Sequence, residues 1–393
     1  MTINLKPTAG CLSNKEMNCS FTFRLFIVLL FSMGCNSQPK DFISLDPGDY
    51  PYYVVEKSTE PPNVGSIIFV DLDGDGIDEK VVTHHGEKPN ESTVLVTKYN
   101  GKVVDELYLP PTHNVSFEFA LDVNGDGTKE LFIVTREGDT VFAVIRDAYH
   151  HVKLNKFPLY WKPHSLQKFP EEVGISLKGM FNSKKYGQNL VICMMTASRP
   201  LLTPRAVAAY KIEHGQQVWF FPMGAWPESP TIADVNEDNI HEIFLVGNGT
   251  TDNVVVNGID DNNTYLVALT DSGTTMWQPK KLGGMYSRAR ATPIDIDRDG
   301  KQEIVCTFWS SSKVKEKSYV ALFDPLTGKQ IGKPRHFDEH LIDVDQPVLE
   351  HRRNTNLLVS TEEGNMYILD KDFETVLQRY FGVELSGVRC RNL

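Results

Sequence analysis

Four stretches of the chain place oxygen-bearing side chains at the same alternate positions. Each stretch begins with aspartate, has Asp or Asn at position 3 and Asp at position 5, and ends in glutamate at position 9. They are residues 71–79, 122–130, 234–242 and 295–303, named here loops 1 to 4. Oxygens at positions 1, 3, 5 and 9, with the backbone carbonyl of position 7, suit one hard cation, because calcium takes about six to eight oxygen ligands. The pattern predicts about four calcium ions.

The predicted metal ligands are Asp71, Asp73, Asp75, Ile77 and Glu79 in loop 1; Asp122, Asn124, Asp126, Thr128 and Glu130 in loop 2; Asp234, Asn236, Asp238, Ile240 and Glu242 in loop 3; and Asp295, Asp297, Asp299, Lys301 and Glu303 in loop 4. Position 6 is glycine in three loops and Asn239 in loop 3, and both residue types accept the positive φ that turns a chain around an ion. An EF-hand is excluded because the loops lack a glutamate at position 12. Metal-free Asp-Gly hairpins do not explain four matched glutamates at position 9.

Each loop is followed at once by a β-type apolar run, so the loops belong to a repeated unit. The spacing between loops predicts two degenerate copies, at residues 181–189 and 350–354, where two lysines and two arginines stand in place of the acids. There a fixed cation or a shorter hairpin would replace the ion. The second half of each unit reads as a strand, a polar turn and a further short strand, which makes about four strands per unit.

Four-stranded sheets repeated at this spacing predict an all-β chain folded as a β-propeller, closed into a ring and carrying calcium-binding inter-strand loops. Residues 49–393 would form this single domain. We expect about six four-stranded blades, or seven if the two ends of the chain share one more sheet.

The loops and their flanking strands resemble the FG-GAP/VCBS repeats of integrin-α-type propellers, over nearly all of the chain after its leader. The Phe-Gly and Gly-Ala-Pro landmark of that family is not legible here. The stretch 319–329, with Tyr-Val-Ala-Leu, Asp and Thr-Gly-Lys, is also similar to quinoprotein propeller blades. The resemblance implies that the calcium loops are structural and lie away from the ligand face.

The amino terminus predicts export, because a positively charged residue precedes a short apolar run and then Gly34 and Cys35. This pair resembles the lipobox of bacterial lipoproteins. It implies a signal peptide at 1–34, lipidation of Cys35, a tether at 35–48 and a place in the cell envelope as an outer-membrane lipoprotein. A plainly cleaved signal, giving a secreted protein, or a signal anchor is the alternative, and Met17 is a second candidate start. Membrane contact is expected only through this end.

The charge and cysteine content limit the classes of partner and metal site expected for the chain. The chain has 51 Asp and Glu against 40 Lys and Arg, a formal net charge of −11. Without a basic patch this balance excludes nucleic acid, and we expect a monomer. The cysteines of the body are Cys193, Cys306 and Cys390, an odd number without a CxxC pair, so no disulfide framework and no zinc site is expected.

Two regions carry side chains suited to ligand contact. One is an insertion at 154–174, where aromatic faces beside cations suit sugars, and the other is the strand before loop 4, where two arginines on one side can bind a carboxylate or pair with acids. Packing within the fold is the alternative role of both regions. The ligand-binding candidates are Tyr160, Trp161, His164, Tyr286, Arg288 and Arg290.

No catalytic residue is predicted. The chain has no GxSxG, HExxH or P-loop motif, and carboxylates that hold a cation cannot also move protons. We expect an exported binding or scaffold module for extracellular protein or glycan. The alternative is an enzyme of the polysaccharide-lyase or quinoprotein kind that uses the channel face, although the vicinal cysteines common in quinoprotein dehydrogenases are absent.

Overall fold

A computed structural model describes residues 64–84, 92–109, 115–137, 140–161, 173–197, 205–250, 253–297, 299–310, 317–345, 348–349, 352–353 and 356–380. Every regular element within these ranges is a β-strand, as the sequence predicted. The expected signal peptide, the tether, Cys35, His164 and Cys390 lie outside the described residues. In the described part of the chain, no helix has the length and apolar character needed to cross a bilayer.

The first three sheets each contain four strands. Sheet I consists of β1 (Val64–Val70), β2 (Glu79–His84), β3 (Thr93–Thr97) and β4 (Val103–Tyr108). Sheet II consists of β5 (Val115–Leu121), β6 (Glu130–Glu137), β7 (Thr140–Asp147) and β8 (Val152–Trp161). Sheet III consists of β9 (Val173–Ser183), β10 (Gln188–Ala197), β11 (Arg205–Lys211) and β12 (Gln217–Met223).

The later sheets keep this plan with additions. Sheet IV consists of β13 (Trp226–Pro227), β14 (Thr231–Ala233), β15 (Glu242–Asn248), β18 (Thr264–Leu269) and β19 (Lys280–Gly283), with the separate hairpin β16 (Val255–Val256) and β17 (Ile259–Asp260). Sheet V consists of β20 (Ser287–Ile294), β21 (Glu303–Ser310), β22 (Ser318–Phe323) and β23 (Gln330–Phe337). Sheet VI consists of β24 (Leu341–Asp345), β27 (Leu357–Thr361), β28 (Asn365–Leu369) and β29 (Thr375–Tyr380), and β25 (Val348–Leu349) pairs with β26 (Arg352–Arg353).

Strands pair in chain order and antiparallel in sheets I, II, III and V. The apolar runs predicted to open the second half of each unit are confirmed as the third strands, such as β3, β7 and β22. The first degenerate copy, at 181–189, is the turn between β9 and β10, as its place in the repeat predicted. Of the second copy, Arg352 and Arg353 are described, and they form β26, which pairs with β25.

The core lies between successive sheets. All six residues of β18 are buried, and so are the first six of β6, because these strands are covered on both faces. Val81 and Val96 of sheet I pack in one apolar cluster with Phe117 and Ile133 of sheet II. Similar clusters join sheets II and III, III and IV, and IV and V. Burial on both faces explains why the sequence shows continuous apolar runs here and not alternation.

Two tryptophans bind turns of the next sheet, Trp219 from the outer strand β12 and Trp277 from the segment just before β19. Trp219 donates its indole N–H to the carbonyl of Asp271 over 3.1 Å, and Trp277 donates to the carbonyl of Pro325 over 2.9 Å. Each indole lies against a turn glycine with positive φ, Gly273 (φ 77°) or Gly328 (φ 63°). A Cβ atom on Gly273 would lie 2.5 Å from the ring of Trp219. Glycine is therefore required at this contact for space as well as for backbone conformation.

The chain divides into two compact units. One unit comprises Pro61–Asp295 and Asp299–Asp338 and contains sheets I to V. The other comprises Met1–Glu60, Ile296–Arg298 and Glu339–Leu393, and its described sheet is sheet VI, whose strand β27 is buried throughout. The expectation of a single domain across 49–393 stays a prediction.

Candidate metal centre

Each of the four loops joins the first and second strands of a repeated unit. Loop 1 connects β1 to β2, loop 2 connects β5 to β6, loop 3 connects β14 to β15, and loop 4 connects β20 to β21. In all four, the backbone N–H of position 6 donates to the aspartate at position 1, over 2.8 to 3.3 Å. The N–H of position 7 donates to the aspartate at position 5 over 2.8 Å. The loops thus repeat one backbone conformation.

Position 6 has positive φ in every loop, as its residue types predicted. The angle is 83° at Gly76, 92° at Gly127, 90° at Gly300 and 64° at Asn239. Position 4 also has positive φ, 75° at Gly74 and 77° at Gly125, and in loop 3 this position is Glu237 with φ 59°. Loop 3 therefore keeps the conformation of the other loops with two residues that are less suited to it than glycine.

The glutamate at position 9 fastens the loop to its own start. Glu79, Glu130 and Glu242 are 1 %, 0 % and 7 % exposed, and each accepts the backbone N–H of position 2 over 2.8, 2.8 and 3.2 Å. Burial raises the pKa of Glu130, and the charges of Asp126 and Asp147 add to that rise. Burial and nearby aspartates raise the pKa of Glu242 in the same way. Both glutamates lie where negative charge is concentrated.

Three groups of described residues bring potential ligand atoms within 4.8 Å of one another. Two of them are predicted ligands: Asp71, Asp73 and Glu79 in loop 1, and Asp295, Asp297 and Asp299 in loop 4. The third joins Asp126 of loop 2 to Asp147 and His150, which the sequence analysis missed. His150 Nδ1 lies 2.6 Å from Asp147 Oδ2.

The acids of loop 1 contact a lysine and a tyrosine of the chain itself. Lys98 Nζ lies 2.9 Å from Asp73 Oδ2, 3.7 Å from Asp75 Oδ2 and 3.9 Å from Glu79 Oε1. The Tyr149 hydroxyl, from the β7–β8 turn, lies 2.7 Å from Asp73 Oδ2 and 2.9 Å from Glu79 Oε1. The hydrogen bond to Asp73 raises the pKa of Lys98, so the ammonium stays charged.

Loops 2 and 3 are different, because none of their carboxylates forms an ion pair with a lysine or arginine of the described chain. Their donor atoms are carboxylate, amide and backbone oxygens, which is the ligand chemistry of a hard cation such as calcium. A buried carboxylate without a counter-charge is costly, and a bound cation would remove that cost. The residues of loops 2 and 3 therefore fit a calcium ion.

One repeated position was missed from the sequence, the residue opposite the position-9 glutamate, which lies at or just after the end of each third strand. Lys98 follows Thr97, which pairs with Lys80, so Lys98 lies opposite Glu79. In the other sheets, the pairing of the second strand with the third identifies the residue opposite the position-9 glutamate in the same way. It is Asp147 for loop 2, Thr270 for loop 3 and Asp324 for loop 4. Comparing this one position across the repeats would have found it.

The structure describes only part of the ligand-binding candidates. Arg288 and Arg290 are exposed on one side of β20, between buried Ser287, Ala289 and Ala291. The neighbouring Tyr286 is 49 % exposed and has φ 57°. Tyr160 and Trp161 end β8. The described residues thus place the two arginines on one side, as predicted.

Comparison by sequence finds no match, either to a protein family or to a characterised protein. Comparison with solved structures does find proteins of similar fold. The Dos1 propeller matches with a TM-score of 0.52 at 10 % identity, over 82 % of this chain and 72 % of that one. This likeness supports a β-propeller fold. The blade count and the FG-GAP/VCBS assignment stay predictions.

Two further structures match less closely. BBS1N in complex with ARL6DN has a TM-score of 0.46 at 10 % identity, over 81 % of this chain and 82 % of that one. The rhamnogalacturonan lyase PL11 of Bacillus licheniformis has a TM-score of 0.46 at 14 % identity, over 80 % of this chain and 57 % of that one. The first was solved with a partner protein and the second is an enzyme.

Proposed function

We propose that the chain is an exported β-propeller, stabilised by calcium, that serves as a binding or scaffold module for extracellular protein or glycan. The observation that supports calcium most directly is the repeated loop conformation around a glutamate that is nearly inaccessible to water. Lipidation of Cys35 would hold the module at the cell envelope. The ions would serve the scaffold and leave recognition to other surfaces.

The loop residues are arranged to act as ligands before any ion arrives. Glu130 is fixed by the N–H of Val123 and by the side-chain amide of Asn124, each over 2.8 to 2.9 Å. Asp122 is fixed by the N–H groups of Gly125 and Gly127. Calcium would supply the positive charge that joins the first and second strands of the sheet. The chain itself supplies the orientation of the oxygens.

Thermal unfolding in chelator and in calcium tests this proposal. An ion that binds only the folded chain adds about 1.4 kcal/mol of stability per site at tenfold excess over Kd, so several sites add several kcal/mol. We expect chelator to lower the Tm and calcium to restore it. Magnesium at the same concentration should restore less, because it demands near-octahedral geometry and keeps its waters. A Tm that is indifferent to chelator would contradict the calcium assignment.

An enzyme acting on acidic polysaccharide is the second candidate, because Arg288 and Arg290 expose two guanidinium groups on one side of β20. Arginine binds carboxylates through paired hydrogen bonds. Incubation with acidic glycans, followed by ultraviolet detection of unsaturated products, tests for lyase activity. Arg288→Ala serves as the matched variant. Glycan binding without product formation would support the scaffold proposal, and product that depends on Arg288 would replace it.

A further inference from the structure

Loop 1 carries every ligand type that the calcium pattern requires, yet its carboxylates already meet donors from the chain. The Lys98 ammonium lies within 4.0 Å of oxygens at positions 3, 5 and 9. Tyr149 reaches the carboxylates of positions 3 and 9. A second ammonium, that of Lys129, donates to the backbone carbonyl of position 1, Asp71, over 2.7 Å. Three of the five predicted ligand positions thus have a side-chain oxygen near the Lys98 ammonium.

Strand register fixes the position from which Lys98 reaches loop 1. Lys98 leaves β3 directly opposite Glu79, because Thr97 pairs with Lys80. Its ammonium also lies 5.5 Å from the centre of the Tyr149 ring, where cation–π attraction adds to the ion pair. The Lys98 and Asp73 side chains are only 28 % and 19 % exposed, so solvent screens the pair incompletely.

The same position differs in the other repeats. Loop 2 has Asp147 there, which is 4 % exposed and adds a carboxylate to the group formed with Asp126. Loop 3 has the neutral Thr270, and loop 4 has Asp324. One position of the repeat thus adds a positive charge at loop 1, none at loop 3 and a negative charge at loops 2 and 4.

We infer that Lys98 is the permanent counter-cation of loop 1, so that this loop is metal-independent and calcium binds only at other loops, loops 2 and 3 among them. This inference rests on the calcium proposal above and lowers its expected number of ions by one. Sheet I then needs no metal to connect β1 with β2.

Counting bound ions in Lys98→Met tests the inference. Methionine keeps an unbranched stem and removes the charge, so loop 1 becomes open to calcium. Native mass spectrometry of the full chain in calcium should show one more bound ion for Lys98→Met than for the wild type. Lys98→Arg keeps the charge and should show the wild-type number. Lys102→Met, which replaces an exposed lysine of the same turn, should also show the wild-type number.

Unfolding in chelator gives a readout that is independent of the ion count. Lys98→Met should then melt below Lys102→Met, because the loop 1 acids have lost their counter-charge, and calcium should reverse the difference. Equal numbers of bound ions in the wild type and in a folded Lys98→Met would overturn the inference while leaving calcium binding intact. No ions in any variant would instead overturn the calcium proposal. In that case equal melting of Lys98→Met and Lys102→Met in chelator would reject the role of Lys98 as well.

Discussion

Buried carboxylates of this chain lie in two kinds of environment, which shift the carboxyl pKa in opposite directions. Asp105 is 4 % exposed and receives two hydrogen bonds from Arg146 and one from His151. Burial alone would raise its pKa, but these donors outweigh burial and the pKa of Asp105 lies below its usual value. Glu130 and Glu242 are as deeply buried, yet burial raises their pKa values. Side chains of the protein neutralise Asp105, whereas Glu130 and Glu242 would be neutralised by the proposed calcium ions.

Replacing Asp105 by asparagine should destabilise the protein in a pH-dependent way. Breaking a buried ion pair costs about 3 kcal/mol, because one charge remains buried without its partner. A carboxyl whose folded pKa is lowered contributes stability above its unfolded pKa and loses it as the pH falls through the folded pKa. We expect the difference in unfolding free energy from wild type to be constant between about pH 7 and 5 and to shrink below about pH 4. Denaturant titrations across this range measure it.

The exposed pair of Lys317 and Asp338, 2.6 Å apart, provides the control. Asp338→Asn should leave the unfolding free energy unchanged, because solvent-exposed ion pairs contribute little. A difference for Asp105→Asn that already shrinks between about pH 7 and 6 would contradict the lowered pKa of Asp105 and the role given to Arg146.

The strands could be predicted from the sequence where burial covers both faces of a strand, as in β18, since such strands read as uninterrupted apolar runs. The positive φ of Asn239 followed from residue type alone. The contacts of Lys98 and Tyr149 with loop 1 could not be predicted, because they depend on strand register and on how the β7–β8 turn packs. The β16–β17 hairpin was missed, although Asn257-Gly258 is a common hairpin turn.

At the scale of the elements, the contact between Trp219 and Gly273 should hold sheet III to the turn of sheet IV. Gly273→Ala puts a Cβ 2.5 Å from the indole at φ 77°, so it combines a clash with backbone strain. Gly258→Ala has nearly the same φ, 74°, with nothing within 4 Å, and isolates the strain. We expect a loss of about 1 kcal/mol for Gly258→Ala and about 1 to 3 kcal/mol more for Gly273→Ala, measured by denaturant unfolding. Equal losses would show that Trp219 moves aside without cost.

For the whole molecule, the net charge of −11 is unevenly distributed. Loops 1 and 4 carry four ligand acids each, and loops 2 and 3 carry three each. Such local concentrations oppose folding unless a cation is present, because like charges repel and buried carboxylates lose hydration. Stability should therefore vary from sheet to sheet when calcium is removed, since only some loops would lose their counter-charge.

Hydrogen exchange should make this variation visible along the chain. Local opening is governed by local stability, so amides exchange faster in the elements that a missing ion releases. On moving from calcium to chelator, we expect faster exchange in β6 and β15, which begin at the buried glutamates of loops 2 and 3. We expect little change in β2, whose loop is neutralised by Lys98. In Lys98→Met, β2 should become as sensitive to chelator as β6. Uniform acceleration of β2, β6 and β15 in the wild type would mean that metal loss loosens the molecule as a single cooperative unit, whatever the charge at each loop.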